Sequence, residues 1–409
     1  MDLQQLTMKE KLDFLSEGTY GCAFKKEEPK KGPTKVIVKI QKYTPGAKRE
    51  DDIGKLIRKI PKYSLYFAPI LQTSVITLGE VDDNEIKKCT IVTGEENIKS
   101  RYVTNRIRYA GKYSLGDFIL NTFEKTPKLF LRTFFATYFD MLYTVNLLNT
   151  NGMIHFDLKE NNVMYDETHE RPVLIDFGMS LIVGQIEPKM YREFFFTYGY
   201  DYPPWCFEIS IISYAVNKLS GDLDKEIVSE NEVNKLCDNF SNINPIFLND
   251  GATGHHDIFS DAERTAYNQK LKEYMRPFIG TTWSSTVQTN LKTIQTWDIY
   301  AVHVMFLLLL FHVHIDEYNN ETFTLIQNFV RKLKREISAI PTERKSYADI
   351  KDELMRDLSG AERKEVEVLT STIHTASADD ERVDEVKLKL SKLQLRELKK
   401  ERHHYPVHQ

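Results

Sequence analysis

The apolar residues of this chain change their spacing near Gly111, and that change limits the folds open to it. Before Gly111 the runs are β-branched and short: "LDFLSEGTYGCAFKK" from Leu12, "KVIVKI" from Lys35, "APILQTSVITLGEV" from Ala68 and "KSRYVTNRIRYA" from Lys99. Such runs read as strands, and "KEEPKKGPTK" between the first two reads as a turn by its Pro and Gly. One helix interrupts them, with Ile53, Leu56, Ile57 and Ile60 at helical spacing from Glu50 and a stop at Pro61. After Gly111 the pattern is helical. "SLGDFIL", "PKLFLRTFFATYFDMLYTVNLLNTNG" and "ETFTLIQNFVRKLKREIS" are its clearest stretches, the second closed by Asn151-Gly152.

A chain of 409 residues exceeds what one hydrophobic core usually supports, so two lobes are expected. The fold class that follows is α+β: a small antiparallel β lobe with one main helix over residues 1–110, then a larger mainly helical lobe over 111–340. The strongly charged remainder, 341–409, reads as a tail. Its "VDEVKLKLSKLQLRELKK" fits an amphipathic helix through Val383, Val386, Leu390 and Leu393, and fits a strand equally well.

Hydrophobic content of 41% and charged content of 28% are those of a globular protein. A net charge of −4 provides no field for nucleic acid or an anionic membrane. Cys22, Cys89, Cys206 and Cys237 are widely spaced and form no C-x-x-C, which argues against a disulfide framework and a structural zinc site and fits a reducing compartment. The N-terminus lacks the apolar core of a secretory signal. "VMFLLLLFHVHI" from Val304 is too short to span a bilayer and reads as a buried helix. A cytoplasmic location is the expectation. The pairs His255-His256 and His403-His404 lack Cys or carboxylate at ligand spacing and read as surface residues.

Residues 153–180, "MIHFDLKENNVMYDETHERPVLIDFGMS", concentrate polar groups that an ordinary core would not hold. "VMY" and "PVLI" look like short strands flanking the turn "DETHER". A hairpin there brings Asn162, before the first strand, toward Asp176, after the second. Amide and carboxylate oxygens so placed suit Mg²⁺, which binds few protein groups and completes its shell with phosphates and water. Asp157 and Lys159 lie just upstream. A carboxylate there can orient or deprotonate a hydroxyl, and the lysine can offset phosphoryl charge.

In order and residue type this stretch resembles the catalytic loop and metal-binding segment of eukaryotic-type protein kinases. "HFDLKENN" is similar to H-R-D-L-K-x-x-N, and "DFG" matches outright. The resemblance implies that Asp157 is the catalytic base, Lys159 neutralises phosphate, and Asn162 and Asp176 ligate the metal, with His155 in support. A lysine two residues after that aspartate resembles the serine/threonine pattern. "SEGTYGCAFK" resembles the glycine-rich loop over ATP phosphates, with Gly18 and Gly21 in the second and third glycine positions, Ser16 in the first, and Ala23 following. Lys39 matches the strand lysine that contacts phosphates. Glu50 is its implied partner, with Asp52 second. Arg108, Tyr109 and Ala110 resemble the linker whose backbone binds adenine, and Met164 is implied at the nucleotide. Glu208 in "DYPPWCFEIS" takes the glutamate position of A-P-E, and Asp298 that of the aspartate bracing the catalytic loop.

The implied function is transfer of the γ-phosphoryl group of ATP-Mg²⁺ to serine or threonine of a protein substrate. Three departures qualify it. Phe156 replaces the arginine that pairs with activation-segment phosphate, so the segment from Met179 to Tyr202 is expected to be ordered by its own aromatics and to need no phosphorylation. Ile37 replaces the alanine of the adenine roof, where added volume can cost on the order of 1–3 kcal/mol. About ninety residues separate Glu208 from Asp298, so residues 209–290 read as an insertion. Divergent, insertion-bearing kinases of this kind resemble those of large DNA viruses. The alternatives are a pseudokinase scaffold, with a partner surface in 209–290 or the tail, and a small-molecule kinase.

Overall fold

The computed structural model describes residues 12–18, 21–26, 36–43, 45–77, 85–93, 101–219, 221–247, 258–311 and 320–357. The N-terminal part is an antiparallel sheet in the order β1-β2-β3-β5-β4. Its strands are β1 (Leu12–Glu17), β2 (Gly21–Lys26), β3 (Val36–Lys42), β4 (Ile70–Thr77) and β5 (Arg101–Arg108). Period-two alternation divides it into two faces. Cys22, Phe24, Val38, Ile40 and Tyr102 are buried on one side against Ile86 and Cys89. Ala23, Ile37 and Lys39 lie half-buried on the other.

The helix of this lobe, α1, runs Pro45–Ile57 and so starts five residues before the expected Glu50. Proline fits the first turn of a helix, where no backbone N–H is needed. Glu50 therefore sits in the second turn, where the helix dipole no longer explains a carboxylate. A one-turn helix, α2 (Thr90–Thr93), was not expected from the sequence.

Cys22 and Cys89 form a disulfide with Cα atoms 5.9 Å apart, a correction to the reading of cysteine spacing. The 67-residue separation hid the pairing, because only the fold brings β2 and the turn before α2 over the same sheet face. Glu17 lies with both sulfurs, but these are bonded to each other. Cys206 and Cys237 are free and buried.

The chain then forms β6 (Tyr113–Ser114), α3 (Leu115–Lys125) and the long α4 (Pro127–Thr150), which ends at Asn151-Gly152 as expected, Gly152 having φ +74°. Next come β7 (Met153–Ile154), β8 (Val163–Asp166), β9 (Arg171–Leu174) and β10 (Leu181–Ile182). The expected hairpin is present: Val163 pairs with Leu174 and Asp166 with Arg171. The rest is helical: α5 (Tyr191–Phe194), α6 (Phe207–Lys218), α7 (Glu230–Ile243), α8 (Asp261–Met275), α9 (Trp283–Leu291), α10 (Trp297–Phe311), α11 (Asn320–Glu336) and α12 (Tyr347–Asp357).

Helix α10 is apolar all round because it is covered all round. Residues Ile294–Phe311 are long and apolar enough to cross a membrane, yet 78% of that window is buried. Phe306 meets Phe134 and Tyr138 edge-on, each at 5.1 Å between ring centres, and Phe329 of α11 closes on Tyr138 at the same distance. The described parts of 209–290 belong to this core, since Phe240, Leu271 and Trp283 are fully buried in it. Capping boxes at Ser229/Glu232 and Ser260/Glu263 fix where α7 and α8 begin.

The chain beyond 340 continues the lobe before any tail begins. Arg344 and Ile350 are buried, and Arg344 forms a bidentate pair with Glu208 at 2.7 and 2.8 Å. Residues 358–409, with the amphipathic stretch and His403-His404, lie outside the described residues, as do His255-His256, Thr19-Tyr20 and most of the turn between β2 and β3.

The two parts are joined by backbone as well as by the linker. Ala68 N donates to Leu174 O at 2.8 Å and Leu174 N to Tyr66 O at 2.9 Å, so the segment after α1 pairs with β9. Asp176, just after β9, meets Lys39 of β3 at 3.0 Å.

Candidate active site

Lys39 is the residue that β3 is least suited to carry. Its register places it between Ala23 and Asn105 in a β-branched strand, with its side chain 18% exposed. An ammonium there needs partners, and two elements supply them. Glu50 of α1, 3% exposed, lies 3.5 Å from Nζ, and Asp176, from the loop after β9, lies 3.0 Å away. Gln41, two residues along the same strand face, donates to the other Glu50 oxygen at 3.2 Å. Asp52 is not the partner; it pairs with Lys55.

Electrostatics follow the geometry. Burial opposes the charge on Lys39, but Glu50 and Asp176 outweigh it and its pKa is raised. Burial, with Asp176 adding repulsion, raises Glu50 despite Lys39. Asp176 is also desolvated, yet Lys39 holds its carboxyl below the ordinary range. Asp176 has φ +57°, a left-handed conformation that Asp tolerates better than most residues. Gly178 N donates back to its Oδ1 at 3.4 Å.

The loop before β8 is held from below. Asp298, at the start of α10 and 1% exposed, accepts from His155 N at 2.7 Å and Phe156 N at 3.0 Å. Burial raises its pKa against those bonds. His155 bonds Ile175 O through Nε2 at 3.0 Å and accepts from Ser180 Oγ on its carbonyl at 3.1 Å, tying the loop to both sides of Asp176.

Phe156 has φ +69°, and its ring stacks on Trp205 at 5.2 Å with Phe195 edge-on at 5.7 Å. Trp205 Nε1 donates to Phe156 O at 2.8 Å. Phe195 of the 179–202 segment and Trp205 just beyond it thus pack on the residue that stands where the resemblance implies a charged pair.

Asp157 is surrounded by donors. Asn162 Nδ2 reaches its Oδ2 and its backbone carbonyl, both at 2.8 Å, and Lys159 Nζ lies 3.2 and 3.3 Å from the two carboxylate oxygens. With its nitrogen so engaged, the oxygen of Asn162 is the end available to a cation. Tyr202 Oη donates to Asp157 Oδ1 at 2.6 Å.

Between the sheet and this loop lies a small apolar cluster set apart from the main core. Ala68, Ala110 and Val173 are buried in it, with Ile107, Met164 and Ile175 half-buried alongside. Ala23 and Ile37 share the sheet face with Lys39 and Ile107, their cross-strand neighbours. Gly111, at φ +138°, follows Ala110, and a Cβ there would run into the Tyr165 carbonyl. Only glycine lets the linker pass that close to β8.

Two expected nucleotide residues have other local tasks. Arg108 pairs with Asp166 at 3.5 Å and donates to Ser64 O at 2.6 Å, bracing the linker with its side chain. Gly21 abuts the backbone of Ile40 and Gln41, so strand packing by itself excludes a side chain there. Ser16 lies opposite Ala23 beside a bulge in β1, and Gly18 N donates to Gly21 O at 2.9 Å, closing the turn between β1 and β2.

Sequence reasoning did not find Gln41, Tyr202, Arg344 or Arg49. Arg49, next to Glu50, pairs with Glu193 of α5 at 2.8 Å and lies 5.1 Å over the Phe194 ring, linking α1 to the 179–202 segment. Tyr202, Arg344 and Arg49 are common polar residues whose partners are far away in sequence, and Gln41 meets Glu50 only because β3 packs on α1.

No protein-family model matches the chain, and comparison with curated proteins gives no match either.

Proposed function

We propose that the chain is a protein kinase that transfers the γ-phosphoryl group of ATP to serine or threonine hydroxyls. One observation carries this reading. Lys39, Glu50 and Asp176, from three separated segments, converge within 3.5 Å above a loop holding Asp157, Lys159 and Asn162.

Three carboxylates against two ammonium groups leave the cluster formally one negative charge in excess, which favours a divalent cation. Asn162 and Asp176 offer the hard oxygen donors that Mg²⁺ selects. When bound, such an ion would neutralise and orient the phosphates of the nucleotide. The apolar cluster of Ala68, Ala110, Met164 and Val173 is of the kind that accepts a flat base. Lys39 would contact the inner phosphates. Asp157 would orient the acceptor hydroxyl and take its proton as the new oxygen–phosphorus bond forms. The bond from the γ-phosphorus to its bridging oxygen breaks, and ADP leaves with the electron pair. Lys159 would offset charge on the transferred group.

Ile37 supports a second reading, a nucleotide-free scaffold, because it lies half-buried on the sheet face over the base cluster. One assay separates the two: γ-labelled ATP with Mg²⁺ and a basic acceptor protein, using wild type, Asp176→Ala and Lys39→Met. The kinase reading expects label in the acceptor and a loss of about 10²-fold or more in each variant. Equal label in all three, or none in wild type, would overturn it.

A further inference from the structure

The hydroxyl of Tyr202 occupies the position on Asp157 that an acceptor hydroxyl needs. Asp157 Oδ2 is held by Asn162 at 2.8 Å, and Lys159 spans both oxygens. The carboxylate is therefore already oriented, and Tyr202 adds a 2.6 Å bond to Oδ1, the oxygen not bonded by Asn162. The ring is fixed from two sides: Trp205 meets it edge-on at 5.1 Å, and Lys159 Nζ lies 5.8 Å over its face. Trp205 is anchored in turn to Phe156 O. Burial, and then the Asp157 charge, push the phenol pKa up, so the group stays a donor throughout the physiological range.

We infer that Tyr202 is a gate for the acceptor, an in-chain hydroxyl that a substrate hydroxyl must displace from Asp157 before transfer. This rests on the phosphotransferase reading above. The exchange replaces one hydroxyl–carboxylate bond by another of the same kind, so the barrier to entry is modest and falls on acceptor binding. Removing the phenol oxygen stabilises nothing in the acceptor complex but takes a competing bond away from the free protein. The acceptor KM should fall, and kcat/KM should rise through it.

The test compares wild type, Tyr202→Phe and Tyr202→Met for transfer from ATP-Mg²⁺ to a serine-containing basic peptide, with thermal midpoints as the check on folding. Tyr198→Phe, on the same segment, is the control. Loss of one charge-assisted hydrogen bond predicts an acceptor KM lower by about tenfold in both Tyr202 variants, with ATP KM unmoved. An unchanged acceptor KM with a falling kcat would make Tyr202 a support for Asp157 and overturn the gate. Phosphate recovered on Tyr202 would also overturn it, since the phenol would then be an acceptor. If wild type transfers nothing, the phosphotransferase reading itself fails and the gate falls with it.

Discussion

Replacing Arg344 by alanine should destabilise the helical lobe severely, although the residue lies in what reads as a charged tail. Its guanidinium is 1% exposed and donates to both oxygens of Glu208, itself fully buried, at 2.7 and 2.8 Å. It also donates to Ser338 O and Thr296 Oγ1 and lies 4.9 Å over the Tyr300 ring. Arg344→Ala leaves the Glu208 carboxylate in the core with one weak partner, Thr293 Oγ1 at 3.4 Å. Stranding a buried charge in this way costs about 3–5 kcal/mol. That is a large share of the ~5–15 kcal/mol typical of a whole domain. The double variant Arg344→Met/Glu208→Leu removes both charges, keeps the volume, and should recover at least about half of the loss. Urea denaturation of the full chain, followed by tryptophan fluorescence, reads both numbers. A loss below about 0.5 kcal/mol for Arg344→Ala, within the ordinary range for surface changes, would mean that Arg344 does not neutralise Glu208 in the core.

Three further outcomes are expected. Glu193→Gln should lower phosphoryl transfer several-fold, whereas Thr197→Val/Tyr198→Phe should leave it unchanged, because Arg49–Glu193 and the aromatics around Phe156 order the segment; a charge swap of Arg49 and Glu193 should restore part of the rate. Reduction of Cys22–Cys89 should lower stability by about 4 kcal/mol from the entropy of a 67-residue loop, read as a shift in the urea midpoint with and without dithiothreitol. Burial lifts Asp140, 3.7 Å from Arg171, to about 7. A carboxyl raised on folding contributes stability present below its unfolded pKa of about 4 and lost as pH rises through the folded value. Asp140 should therefore subtract stability from wild type as pH rises from about 4 to 7, so Asp140→Asn should gain relative to wild type across that window in urea titrations.

Much of the architecture was legible because local signals agree. The β-branched runs became β1 to β5, the Val163–Leu174 hairpin closed as the turn residues demanded, and the apolar helix from Trp297 is buried. Lys39 with Glu50 was readable because an unpaired charge in a strand must be satisfied nearby; the bond from Asn162 to Asp157 was not, the sequence having pointed Asn162 toward Asp176. What stayed hidden depends on long-range partners. Nothing near Cys22 announces Cys89, and nothing near Glu208 announces Arg344. Residues 209–290 looked like an addition because the expectation came from a shorter pattern, yet their apolar faces close the main core. The roles expected of Arg108 and Gly21 were set by motif position, while their neighbours in space give each a local packing task.

In the proposed reading, Asn162 and Asp176 grip a divalent ion for a nucleotide anchored at Lys39. Electron paramagnetic resonance of Mn²⁺, titrated with a non-hydrolysable ATP analogue, tests it without relying on turnover. The analogue should increase Mn²⁺ binding to wild type, Asp176→Asn should abolish the increase, and Lys39→Met should weaken the analogue while leaving the thermal midpoint near wild type. Mn²⁺ binding that ignores the analogue, or survives Asp176→Asn unchanged, would contradict it.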